Sequence, residues 1–499
     1  MLYFDNNAMA FHRIRFHWII GILCGLSFAS LLAVRVGMFD GSETENREIP
    51  TPVEMRMDRD TWMKVLQQGR KIGYVHREIS KTGEGYRILE SAFMKINTMG
   101  LTQEVRFTTA GNFNYDLTLS TFDFELQSSL FRFKARGVVN EKVLTLHAGT
   151  PGSEQKIVLP LEAKTYLPLS MIEVLVNEKM RPGEKRAFHV FDPATMAQRP
   201  VHVTVLSEET IRVMGHEEKA RKVSVDFMGA PQFAWIGKDG TVLKEEGSLG
   251  IRLERVTREE ALEKIDPSAS ADITEIASIR SNRSIQNAGE LKELKLRIDG
   301  IDHGDFFLSG DRQSLMQNVL TIRRELLSNL PSAQKKQHLF ADGKTYLEST
   351  PLIQADHPEI RSRVGEIVSP EDPDTRKVRK LVGWINEKIE KKPVLSVPNA
   401  LETLRNRVGD CNEHAVLLAA LARAAGIPAQ VEAGLVYQRG RFYYHAWNVL
   451  YLGTWITADS VMGQIPADVT HVRFVRGDER QIDLFGLLGR VRLEVLSAN

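Results

Sequence analysis

The chain has 499 residues, 42% hydrophobic and 26% charged, with a formal net charge of +1. That length exceeds one ordinary core, so roughly two to four domains are expected. Near-neutrality gives no support to nucleic acid as a partner, since binding by counterion release requires a basic surface. The sequence holds no zinc-type cysteine spacing, His-Glu-x-x-His, Gly-x-x-x-x-Gly-Lys-Ser/Thr phosphate loop or dinucleotide fingerprint.

Trp18 to Val34 is an uncharged, almost wholly apolar run of 17 residues, at the short limit for crossing a bilayer core of about 30 Å. Arg13 and Arg15 precede it, Arg35 follows, and Asp40, Glu43 and Glu45 come soon after. This bias predicts a cytoplasmic tail (1–15), a single uncleaved transmembrane anchor (16–39) and a periplasmic or otherwise extracytoplasmic body. The competing reading is a cleaved signal peptide with Ser27-Phe28-Ala29 at the cleavage site. Cys24 does not fit a lipoprotein signal, because Leu23 before it is too large.

Residues 40–55 are polar and read as a linker. From 56 to 260 the pattern is short alternating segments separated by turns, such as Phe122-Asp123-Phe124-Glu125-Leu126 and Val201-His202-Val203-Thr204-Val205. Period-two alternation predicts antiparallel sheet, in one or two β domains with Pro182-Gly183 as a hinge. Residues 261–285 read as a second linker. Residues 286–344 read as an α/β connecting segment, with a strand over Leu291 to Ile298 and a helix from the spacing of Leu315, Val319, Ile322 and Leu326. Residues 345–475 form the next domain and 476–499 a C-terminal tail.

Within that domain Asp372-Pro373-Asp374 predicts a helix start with a first-turn proline, and Val378, Leu381, Val382, Ile385 and Ile389 form one apolar face. A short helix is expected over Asn399 to Arg405 and a longer one from about Cys411 to Ala425, stopped by Gly426 and Pro428. Gln430 to Tyr437, Phe442 to Leu450 and Trp455 to Asp459 read as three strands.

Cys411 is the sole cysteine outside the apolar N-terminal run. It cannot form an intramolecular disulfide there, so packing or chemistry must account for it. Cys411, His445 and Asp459 occur in the order of a thiol nucleophile, its base and the group that orients the base. A helix N-terminus favours the thiolate, and its amides could also serve an oxyanion. If Tyr451-Leu452-Gly453 is a three-residue hairpin loop, His445 lies directly opposite Asp459 on one sheet face. His414, three residues after Cys411, is a rival base without an evident carboxylate partner.

Gly409-Asp410-Cys411-Asn412-Glu413-His414-Ala415, then Gly426-Ile427-Pro428-Ala429, His445-Ala446-Trp447-Asn448 and Asp459 resemble the transglutaminase-like domain of bacterial proteins. The resemblance implies an α+β, papain-like core in which Cys411 is the nucleophile, His445 the base and Asp459 the orienting acid. The family includes transglutaminases, proteases and peptide amidases, and some members have lost activity. Nothing resembles the calcium sites of the animal enzymes, so neither a metal nor a cofactor is expected.

These readings together predict an α+β chain: a transmembrane helix, a β-rich antiparallel region and a C-terminal transglutaminase-like thiol enzyme. Its expected partners are the membrane, through the N-terminal helix, and a peptide or protein substrate, peptidoglycan peptides among the candidates. Hydrolysis is favoured over amine transfer because water is always present. The alternative is a non-catalytic envelope protein that binds a partner through its β-rich region.

Overall fold

A computed structural model of the chain describes residues 58–499 apart from 130, 152–153, 178–179, 228–229, 267–268, 330–344, 479–483, 485–486 and 488. The expected tail, transmembrane anchor and Cys24 lie outside the described residues. No helix among the described residues is long and apolar enough to cross a membrane.

Fifteen strands between Arg59 and Val256 form one sheet. Alternation builds it: in the strand Leu119–Gln127, Phe122, Phe124 and Leu126 are buried while Asp123 is exposed. The first strand, Arg59–Gln67, pairs with the last, Ile251–Val256, with Trp62 opposite Val256. That pairing joins the two halves into one continuous layer. The end strands, Gln155–Pro160 and Thr165–Tyr166, do not pair with each other, so the sheet is open. Pro182-Gly183 is a turn and not a hinge, since the Gly183 N–H donates to Val205 O at 2.8 Å.

The chain then enters the C-terminal body through residues expected to be a linker. Asp272 caps the helix Ile273–Ala277 by accepting from Thr274 N at 2.9 Å. The same carboxylate accepts from Met99 N and Gly100 N in the large sheet, at 3.2 and 2.7 Å. Gln103 Nε2 donates to Pro393 O at 3.1 Å, a second tie between the large sheet and this body. The two-residue strand β1 (Ile279–Arg280) follows, too short to leave a periodicity in the sequence.

Next come β2 (Glu293–Asp299), β3 (Gln313–Met316) and β4 (Val319–Arg323). The helix expected from Leu315 to Leu326 is therefore a β-hairpin. Leu315, Val319 and Ile322 fall at helical spacing by coincidence, and Gln317 takes a left-handed φ of 55° between the strands. The alternating Leu320 and Ile322 are the fully buried residues.

Four helices follow: α1 (Pro358–Ile367), α2 (Asp374–Lys388), α3 (Ala400–Asn406) and α4 (Cys411–Ala424). Helix α2 buries Val378, Leu381, Val382 and Ile385, the predicted face. Pro373 is its N-cap and not a first-turn residue, and the Asp372 carboxylate accepts instead from Ser369 N at 3.0 Å. Asn399 caps α3 by accepting from Glu402 N at 3.1 Å.

The remaining strands are β5 (Ala429–Gln438), β6 (Arg441–Tyr451), β7 (Trp455–Ala458), β8 (His471–Arg476) and β9 (Arg492–Ala498). A five-stranded sheet has the order β1-β6-β5-β8, with β7 also paired to β6. A four-stranded sheet has the order β3-β4-β2-β9. Residues 476–499 thus carry a sheet strand and are not a free tail. One apolar core runs through both sheets and the helices, including Leu294, Leu320, Leu417, Val431 and Val495.

Candidate functional site

Helix α4 begins at Cys411 because the residues before it satisfy its free amides. The Asp410 carboxylate accepts from Asn412 N at 2.8 Å, and Glu413 reaches back to accept from Asp410 N at 2.9 Å. This capping box stabilises the helix start. Gly409 permits it, since a Cβ there would lie 2.4 Å from the Glu413 Cβ. Ser396 Oγ donates to Glu413 Oε1 at 2.6 Å. Burial and the neighbouring Asp410 carboxylate push the Glu413 acid well up.

Cys411 is half-buried, and the backbone amide of Ala446 on β6 favours its thiolate form. Burial first, then the charge of Asp410, push its thiol well above the ordinary range, with Glu413 and Asp459 adding to the rise. The helix start favours the thiolate, and burial with the surrounding carboxylates opposes it. The Asn412 amide is also already occupied by Asp410, so it is not free for an oxyanion.

Strand β6 is fixed to α4 by Asn448, whose Nδ2 donates to Ala415 O at 2.9 Å. His445 and Trp447 lie on this strand, either side of Ala446. His445 Nε2 lies 2.7 Å from Asp459 Oδ2, which leaves Nδ1 as the ring atom able to take a proton.

The pairing differs from the expected register. Leu450 pairs with Ile456 and Tyr451 with Trp455, so the loop is Leu452-Gly453-Thr454, with Gly453 at φ 98°. His445 and Asp459 are consequently not direct partners. The pairing is displaced by two residues from the expected one, which preserves the face. Their side chains therefore meet diagonally.

Asp459 is fully buried and receives four hydrogen bonds. Its Oδ1 accepts from Val461 N and Met462 N at 2.7 and 3.0 Å. Its Oδ2 faces both His445 Nε2 and, at 3.0 Å, His471 Nε2. Burial opposes ionisation, but the two imidazoles outweigh it and hold the carboxyl far below the usual carboxylate range.

Sequence reading missed His471. It begins β8, is completely buried, and its Nδ1 lies 3.3 Å from Asp468 O and 3.4 Å from Asp468 Oδ1. Burial lowers its pKa, but the hydrogen bonds to Asp459 and Asp468 win and raise it. A signal was available: an acid-led turn, Asp468 to Thr470, opens a short strand, buried from His471 to Val475, whose first residue is this histidine.

His414, the rival base, is buried with Nδ1 donating to Asp410 O at 2.7 Å, and burial lowers its pKa. No hydrogen-bonded carboxylate orients it. Trp447 is buried and donates its indole N–H to Glu432 Oε2 at 2.8 Å, so it is packing and not a cleft wall.

Three donor atoms of His445, Asp459 and His471 lie within 4.8 Å of one another. Two ligands at zinc distances of about 2.0–2.1 Å stand about 3.3 Å apart across a tetrahedral angle. The 2.7 and 3.0 Å separations here are those of hydrogen bonds. Asp60, His76 and Glu78 form a second, partly exposed grouping held by a His76–Asp60 hydrogen bond of 2.8 Å.

The raised pKa of His471 links protonation to folding. Its contribution is complete below the unfolded value of about 6.5 and is lost as pH rises through the higher folded value. Thermal unfolding midpoints should therefore fall on the alkaline side of about pH 6.5, and His471→Gln should flatten that decline. A variant with the wild-type alkaline slope would contradict it.

Residues 361–460 match the sequence profile described as Transglutaminase-like superfamily. The chain thus carries a transglutaminase-like domain, of a superfamily typically made up of cysteine peptidases and acyltransferases. The matched residues include Cys411, His445 and Asp459 but stop short of His471. Among solved structures, the chain is similar to a β-barrel-like protein of a domain of unknown function, DUF1849, from Brucella abortus. That likeness has 14% identity and a TM-score of 0.33, covering 40% of this chain and 96% of the other. It is also similar to a proposed cysteine protease from Cytophaga hutchinsonii, at 16% identity and a TM-score of 0.27, over 41% of this chain and 81% of that one. No curated protein matched the sequence.

Proposed function

We propose that the protein is a membrane-anchored, extracytoplasmic thiol enzyme that cleaves peptide or amide bonds through Cys411, His445 and Asp459. One observation carries the reading: His445, on the strand that Asn448 ties to the Cys411 helix, has its Nε2 2.7 Å from the buried Asp459 carboxylate, which leaves Nδ1 to act as the base. His445 Nδ1 takes the thiol proton as sulfur attacks the carbonyl, and Asp459 stabilises the imidazolium. The imidazolium then protonates the leaving amine, and water activated by the same nitrogen hydrolyses the acyl-enzyme. The substrate class is a peptide or protein of the envelope, peptidoglycan peptides included. The alternative, a scaffold with an inert thiol, is favoured by one observation, the burial that pushes Cys411 up.

Alkylation of the full chain by iodoacetamide separates the two, read on the Cys411 peptide by mass spectrometry so that Cys24 does not interfere. In the enzyme reading the imidazole of His445 offsets the burial of the thiol by taking its proton, so reaction below pH 8 should be rapid and should fall about tenfold or more in His445→Ala. Equal, slow rates in both proteins, following an ordinary thiol titration, would establish the scaffold.

A further inference from the structure

The hydrogen-bonding around His471 constrains its charge by geometry alone. Nδ1 faces the Asp468 carbonyl at 3.3 Å, which can only accept, and Nε2 faces Asp459 Oδ2 at 3.0 Å. A neutral imidazole donates from one nitrogen and presents a lone pair at the other. That lone pair would have to meet either a carbonyl oxygen or the Asp459 carboxylate. Protonating Asp459 would not relieve the conflict cheaply, because Val461 N, Met462 N and His445 Nε2 all use this carboxylate as an acceptor. Asp468 is likewise committed as an anion: it accepts from Thr470 N at 2.8 Å, Thr470 Oγ1 at 2.6 Å and Gln464 Nε2 at 2.9 Å. The arrangement fits an imidazolium with two N–H groups held between two carboxylates.

We propose that His471 is a positioning residue of the site, a second partner, charged at neutral pH, that holds Asp459 aimed at His445. This deepens the proposed thiol chemistry and rests on it. His445 and His471 stand with ring centroids 5.9 Å apart on either side of one carboxylate oxygen, and Trp447 closes edge-on against His471 at 5.2 Å. The raised pKa of His471 agrees with the geometry.

The other charged groups around it are themselves paired. Arg312, ahead of β3, donates to the carbonyls of Ala467, Asp468 and His471 at 2.6, 3.1 and 3.0 Å, and lies 3.6 Å from Glu325. On β8 and β5, Arg473 and Arg476 share Glu432. Asp459 and Asp468 are therefore the anions that His471 contacts directly. Without His471 the carboxylate keeps its two amides but loses the donor opposite His445, and is free to turn in the space left behind.

Two measurements on the full chain test this. In 15N-histidine-labelled wild-type protein, with His471 assigned by its loss in His471→Gln, the ring should carry two N–H protons at pH 8, where an ordinary histidine is neutral. A single N–H with neutral-imidazole shifts would overturn the proposal. Alkylation of Cys411 gives the second measurement. His471→Ala should lower the rate toward that of His445→Ala, a fall of up to about tenfold, because its effect passes through His445. His471→Gln, which can still donate to Asp459, should recover part of that rate with an altered pH profile. Wild-type rates and profiles in both variants, with only the melting temperature lowered, would make His471 structural and overturn the proposal. A wild-type rate that His445→Ala leaves unchanged would instead end the thiol-enzyme reading itself, so the two failures are distinct.

Discussion

Asp459→Ala is expected to cost about 3–5 kcal/mol of stability, the range for removing one partner of a buried ion pair. The same change should abolish His445-dependent reaction of Cys411. Both effects have one cause. Removing the carboxylate leaves His471 charged and buried against Asp468 alone, and orphans the amides of Val461 and Met462. It also frees the His445 ring to take either tautomer. Asp459→Asn separates the consequences. An asparagine oxygen can still accept from the two amides, so less stability is lost. Its amide cannot hold two imidazole donors as an anion does, and the proton-accepting nitrogen of His445 is no longer fixed. By analogy with triads whose acid is amidated, turnover on a substrate would fall by about 10⁴-fold. Chemical denaturation and alkylation of Cys411 read the two effects independently. Asp459→Ala with unaltered stability and unaltered thiol chemistry would remove the acid from both roles.

The parts of the site that could be read from the chain are those built from local contacts. Asp410 before an apolar run with Glu413 three residues on is a helix start in any context, and Gly426 and Pro428 mark where that helix stops. The face shared by His445 and Asp459 was legible because face depends only on whether the pairing shifts by an odd or even number of residues. The register itself was not, since a three-residue loop can place Gly453 at its end or at its centre, and Leu452 N donating to Thr454 O at 2.9 Å selects the centre.

Long-range pairing is what the sequence conceals. Strand β2 pairs with β9, Leu296 lying opposite Val495, and no periodicity in either segment names the other. The supposed connecting segment then supplies Arg312 to the turn before His471, and supplies Gln313, whose side chain accepts from Arg473 N at 2.7 Å and donates to Arg473 O at 3.1 Å. Residues read as a link between domains are thus a support for the loop that carries Asp468 and His471. His471 was half-legible: Asp468 lies only three residues before it, but Asp459, just past the end of β7, reaches it only in the folded sheet.

Glu432→Ala should destabilise the protein by about 3–5 kcal/mol without removing any group of the proposed chemistry. Glu432 is buried on β5 and accepts from three neighbours: Trp447 Nε1 at 2.8 Å, Arg473 Nη1 at 3.1 Å and Arg476 Nε at 2.8 Å. Burial opposes its ionisation, yet the two arginines hold it below the usual range. Truncation leaves two cations with only Asp311 to share, and a buried indole N–H with no acceptor. Arg473 and Arg476 are further covered by the Phe307 ring, at 4.3 and 5.0 Å, which restricts their escape to water. Glu432→Gln keeps an acceptor for Trp447 but no charge, so it should fall between wild type and alanine. Because Trp447 packs edge-on against His471, the alanine variant should also slow Cys411 alkylation, while glutamine should largely preserve it. A denaturation midpoint for Glu432→Ala within about 0.5 kcal/mol of wild type would mean the arginines find other partners. The buried network would then have no part in holding Trp447 against the site.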